Sequence, residues 1–176
     1  MRNYFFNACN SIECISFFRG FGTGHLTYGV GSGSSSRAST AAKQWNGVSS
    51  KASLPYSSAT NQYGSTANVV THFNSTAPPT SGALGKMYPY KTYTGTSASL
   101  ATTSDRWVKA IVYQYKNSLL DTTTKRTKTA THEFRHALSV AHPTSSSTVA
   151  VMQQGVLNYY DLKTYDKDSL KAKGGK

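Results

Sequence analysis

Two rhythms of apolar and polar positions organise the chain. Leu26, Tyr28 and Val30 alternate with small or polar neighbours, the period of a strand with one buried face. Ala38, Ala41, Ala42, Trp45 and Val48 recur instead at spacings of three and four, which predicts a helix. A serine of the 34–36 run offers its N-cap, and Gly47 its stop. Residues 52–56 and 67–73 (ANVVTHF) read as strands, and 77–82, with Pro78 and Pro79, as a loop. A further strand is predicted within 83–94, where Pro89 has no N–H to give a ladder and so suits an edge. Residues 107–115 (WVKAIVYQY) are apolar on both faces, the pattern of a central strand. A helix is predicted at about 125–138 and a short one over 166–173, opened by Asp166 and stopped by Gly174 and Gly175. This order predicts an α/β (α+β) fold, in which a twisted mixed sheet carries an early helix and a second, chemistry-bearing helix.

At 176 residues the chain suits one hydrophobic core. Residues 1–24 read as a leader-like or disordered segment and 25–176 as the folded domain. The first 18 residues begin with Arg2 and contain apolar groups, but Asn7, Asn10 and Glu13 interrupt the apolar stretch of a signal peptide. No run approaches the roughly 20 apolar residues of a membrane span. Cys9 and Cys14 could close a small disulfide loop in an exported protein.

Charge changes the picture in one respect. Nineteen Lys and Arg against 7 Asp and Glu give a net charge of +12, which attracts anionic partners such as acidic cell-wall polymers. The basic residues are scattered, however. Their densest groups are Lys125, Arg126 and Lys128, and the tail Lys167, Lys171, Lys173 and Lys176. Neither has the interleaved aromatics of a nucleic-acid module, so both read as solvated surface and no specific nucleic-acid site is expected.

The chemistry concentrates in 131–143, THEFRHALSVAHP. His132 and His136, four apart on a helix, share one face and can converge on a single metal ion. Glu133 lies beside them, near enough to take a proton from a zinc-bound water without being a ligand. His142, six residues beyond His136, offers a third ligand and leaves a position open for water and substrate. His25 and His72 have no such partners nearby. No G-x-S-x-G elbow occurs, which disfavours a serine hydrolase.

HEFRHALSVAH resembles the metzincin zinc signature H-E-x-x-H-x-x-G-x-x-H, and Met152 in TVAVMQQG stands where the following Met-turn belongs. The early helix with Trp45, the strand at 107–115 and the closing YDKDSLKAK helix are similar in placement to small bacterial matrixin-like catalytic domains. The resemblance covers about 25–176. It implies one catalytic zinc ion on His132, His136 and His142, Glu133 as general base, and Met152 packed beneath the site. It further implies a secreted, monomeric metalloendopeptidase acting on protein or peptide. Gln154 stands where astacin-like relatives have a metal-approaching Tyr, which favours the matrixin side. Two departures carry expectations of their own. Ser139 replaces the signature glycine, and if it takes the left-handed conformation the cost is of order 1–2 kcal/mol. Arg135 is expected at the cleft, narrowing it or meeting an acidic substrate group. Tyr159 and Tyr160 suit either a substrate pocket or core packing. Two rival readings stay open: an inactive metzincin-fold binding protein, and a basic module for cell wall or nucleic acid. The intact Glu133 favours the enzyme over the first.

Overall fold

A computed structural model describes residues 20–57, 66–73, 78–102 and 104–174. Strands β1 (Gly24–His25) and β2 (Tyr28–Ser32) precede helix α1 (Ser35–Trp45). Strands β3 (Ala52–Ser53), β4 (Val69–Phe73), β5 (Gly85–Tyr93), β6 (Ala98–Leu100) and β7 (Lys109–Gln114) follow, then helices α2 (Thr123–Ala137) and α3 (Thr164–Gly174). The main sheet has the order β2-β4-β7-β5-β6. β2, β4 and β7 run parallel, β5 runs antiparallel to both β7 and β6, and β1 pairs with β3 in a small separate sheet. The chain is thus an α+β fold, as the alternation of strand and helix patterns predicts.

Side-chain alternation along the strands sorts the sheet into two faces. Tyr28, Val69, Phe73, Ala110 and Val112 join the main core with Ala38, Ala41, Ala42 and Trp45 of α1 and with Ala130, Phe134 and Ala137 of α2. Burying one such aliphatic or aromatic side chain contributes about 1.5–3 kcal/mol, so this shared face holds both helices on the sheet. Ser34 caps α1 by accepting from Arg37 N–H, and Thr122 caps α2 by accepting from Lys125 N–H. The Trp45 indole N–H donates to the Thr131 carbonyl at 3.0 Å and so fixes α1 along α2 close to the site.

Several expectations shift. The strand read at 26–30 begins at Tyr28 and runs on to Ser32, with a register shift between Val30 and Ser32; a Cβ on Gly31 would displace the His72 ring. Within 52–56 only Ala52–Ser53 forms a strand, with Tyr56 adding an isolated bridge to Tyr28. β5 is not the edge, because the three-residue β6 lies outside it. Pro89 is tolerated because its carbonyl accepts from Ala101 N–H, so its nitrogen faces that outer side rather than β7. The residues assigned to a leader are divided: Gly20 accepts from Trp107 N–H, and Phe21 packs edge-on against Trp107, while 1–19, with Cys9 and Cys14, lie outside the described residues. Among the described residues no helix is long and apolar enough to cross a membrane.

Candidate metal centre

α2 carries two different faces. Ala130, Phe134 and Ala137 enter the core, while Lys128, His132 and His136 follow one another at four-residue steps along a second face. The helix then ends in a left-handed turn. Ser139 N–H donates to the His136 carbonyl at 2.8 Å and Val140 N–H to the Arg135 carbonyl at 3.3 Å, with Ser139 at φ 58°. This is the Schellman pairing, whose left-handed position glycine ordinarily fills. The left-handed conformation considered for Ser139 is therefore present, and it sends the chain back so that His142 reaches the two helical histidines. A Cβ on Gly20 would overlap Ser139 Oγ, and Lys173 Nζ donates to the Ser139 carbonyl at 2.9 Å; both hold the turn in place.

The Nε2 atoms of His132, His136 and His142 form a triangle with sides of 3.2, 3.1 and 2.9 Å. Three nitrogens on a tetrahedral zinc at about 2.0–2.1 Å would stand about 3.3 Å apart, so the triangle is of the right size. Tautomers decide what the triangle means. His132 Nδ1–H donates to the Val151 carbonyl at 3.0 Å, and His136 Nδ1–H to the Val140 carbonyl at 3.2 Å. A carbonyl only accepts, so both Nδ1 atoms carry the proton and both Nε2 atoms present lone pairs. Two lone pairs facing each other at 3.2 Å repel, and either a cation among the three nitrogens or an N–H on His142 Nε2 relieves that repulsion. These three side chains are close enough to hold one metal ion.

Burial lowers all three histidine pKa values, that of His136 to about 3, with Lys128 adding to the effect on each and neighbouring imidazoles to that on His132 and His136. They are neutral near pH 7, as metal ligands must be. Glu133, 6% exposed, is pushed the other way by burial, to about 8, against the pull of Lys128 and of the Met87 N–H that hydrogen-bonds it. Gly85 makes room for this carboxylate: a Cβ there would stand 2.9 Å from Glu133 Cγ and Oε1.

The loop after Ala150 supplies the floor. Val151 and Met152 are fully buried, and their N–H groups donate to the Asp166 carboxylate at 2.8 and 3.3 Å. Asp166 also accepts from Lys163 N–H and from Arg135 Nη1, at 2.9 and 2.7 Å. Arg135 therefore does not face the cleft. It lies fully buried between the Trp45 and Tyr165 rings, 5.3 and 5.5 Å from their centroids. Nor is the 125–128 cluster a solvated patch. Lys125 pairs with Asp121, Arg126 Nε donates to the Leu120 carbonyl, and Lys128, 3% exposed, donates to the carbonyls of Gln153 and Gly155. Tyr159 turns its hydroxyl to the Ala150 carbonyl and packs against the core. His72 stands in β4 beside Tyr113, and His25 on Ser53, both away from the triangle.

Sequence reasoning missed the Asp166–Arg135 tie. Its one available signal was a single acid opening the last helix, which local pattern reads as a cap. No known family model matches the chain, and no curated protein is significantly similar to it.

Proposed function

We propose that this protein is a zinc-dependent endopeptidase of metzincin type. The observation that carries the proposal is the pair of facing Nε2 lone pairs on His132 and His136, completed by His142 and flanked by a buried carboxylate. Neutral imidazoles in a three-nitrogen set suit zinc and leave a coordination position open for chemistry. Zinc held there would polarise a peptide carbonyl and acidify a water, the chemistry that hydrolysis of an unactivated amide needs.

The chain's own residues supply the rest. Glu133 would accept the proton of the attacking water and pass it to the departing amine nitrogen; burial keeps it protonated in the metal-free protein, and a divalent cation on the histidines would draw it toward the carboxylate that takes the proton. The Val151 and Val140 carbonyls keep the first two imidazoles in the ligating tautomer. Residues 85–88 of β5 extend beyond β6 and, among the described residues, pair with no strand on that side. An extended peptide adding there would run past Glu133 by β-augmentation. The charge-poor, Ser/Thr-rich composition supports an exported enzyme acting on protein substrates.

Cleavage of unfolded casein tests the reading. Wild type should cleave it, lose the activity to a chelator and regain it with zinc, and Glu133→Gln should be slower by about 100-fold or more while still folded. Chelator-insensitive cleavage, or full activity in Glu133→Gln, would reject the mechanism.

A further inference from the structure

Strand β5 carries two exposed lysines with different surroundings. Lys91, within the length that β6 covers, pairs with Asp105 at 3.3 Å. Lys86 belongs to the stretch 85–88 that extends beyond β6. Among the described residues the ion pairs are Lys91–Asp105, Lys125–Asp121 and Arg135–Asp166, so Lys86 has no acid of these residues against it. Its ammonium lies 4.9 Å from the ring centroid of Tyr88, two residues along the same face.

The backbone of β5 sets how an added strand would meet Lys86. The Leu84 carbonyl accepts from Tyr115 N–H on the β7 side, whereas the Pro89 carbonyl accepts from Ala101 N–H on the outer side. Backbone groups alternate in direction along a strand, so those of Lys86 point to β7 and those of Gly85 and Met87 point outward. Glu133 marks the same edge. Met87 N–H hydrogen-bonds its carboxylate, and a Cβ on Gly85 would stand 2.9 Å from its Cγ and Oε1. A peptide added antiparallel to 85–88, as β6 is further along, would set one residue directly across from Lys86. That pair would be of the non-hydrogen-bonded kind, with Cα atoms about 4.5 Å apart and side chains at their closest. Its side chains would share the Lys86–Tyr88 face, opposite the one on which Met87 packs against the core.

We propose that Lys86 selects the substrate class of this site: peptides with an acidic side chain at the residue that pairs across from it. The inference rests on the endopeptidase reading and on addition at this edge. Opposite charges directly across a strand pair attract and like charges repel, so Asp and Glu gain at that position while Lys and Arg lose.

Fluorescence polarisation of short labelled peptides on the full chain carrying Glu133→Gln, in zinc buffer, tests this without cutting the peptide. Each position of an otherwise uncharged Ala/Thr sequence carries Glu, Gln or Lys in turn. At the best position Glu should bind about two- to fivefold tighter than Gln, beyond the uniform pull of a basic chain. The preference should shrink in high salt, vanish with Lys86→Gln and turn toward Lys with Lys86→Glu. No Glu preference at any position, a preference that survives Lys86→Gln, or no peptide binding at all overturns the proposal. Cleavage by the wild-type chain separates this inference from the reading beneath it. Peptides cut without regard to charge at that position sink the Lys86 assignment alone. Peptides bound by the charge rule and never cut keep Lys86 as the selecting residue and sink the peptidase.

Discussion

The Arg135 guanidinium and the Asp166 carboxylate meet at 2.7 Å with neither side chain exposed to solvent. The pair joins the metal-ligand helix to α3, and through Asp166 it also holds the Val151 and Met152 N–H groups beneath His132. Removing one member leaves the other charge buried and uncompensated. Asp166→Asn should therefore destabilise the fold by about 3–5 kcal/mol in urea unfolding. Adding Arg135→Met to it should recover part of that loss. A cost under about 1 kcal/mol for Asp166→Asn would mean that the carboxylate is not the tie described.

Ser139 offers a test of opposite sign. At φ 58° it occupies the position that glycine fills without strain. Ser139→Gly should raise stability by about 1 kcal/mol, less the extra freedom glycine gains in the unfolded chain. Ser139→Val should lower stability, because a β-branched residue fits this region poorly. Thermal melts with and without zinc read both changes, and a Gly variant less stable than wild type in both conditions would contradict the strained turn.

Gly85 controls the room left for Glu133, the proposed base. A methyl group there would press on Glu133 Cγ and Oε1 and on Thr129 Cγ2, each at 2.9 Å. Gly85→Ala should cut the proposed peptidase activity by about tenfold or more through misplacement of Glu133, an effect on geometry rather than on metal. Zinc content should be unchanged. An active Gly85→Ala protein would show that Glu133 has freedom the packing does not indicate.

Buried histidines should make the metal-free protein sensitive to acid. Below pH 6.5 the unfolded histidines take up protons that the buried ones refuse, His136 down to about 3, so stability falls with acid. Between pH 8 and 4.5 folded Glu133 keeps a proton that the unfolded chain releases, so its contribution grows as pH falls. From pH 8 to 6.5 Glu133 is opposed by Lys128 and Lys173, whose buried ammonium groups are lowered to about 8, so the net change there is small. Below 6.5 three histidines outweigh it, at about 1.4 kcal/mol per pH unit for each such group before offsets. Urea melts in chelator should show stability falling as pH drops from 6.5 to 5; stability unchanged or rising over that range would contradict these burial effects.

Much of this was legible in the sequence where the signal is local. The spacing His132–His136 places two imidazoles on one helix face, close enough to share a metal ion, and the alternation along 107–115 marks the central strand, because both depend only on chain periodicity. Ser139 announced its conformation by standing where the signature has glycine. What failed depends on distant partners. Arg135 looks like a cleft residue until Asp166, 31 positions later, arrives beside it. Lys128 looks solvated until the loop at 153–155 folds over its ammonium group. Pro89 marked an edge, but pattern alone gave no notice of three residues at 98–100 adding outside it.

Zinc stoichiometry tests the proposed centre on the three histidines most directly. Equilibrium dialysis against zinc followed by elemental analysis should find one ion per chain in wild type and in Glu133→Gln, and none retained in His132→Ala or His136→Ala. Two ions per chain in wild type, or one ion retained after either histidine is removed, would contradict the assignment.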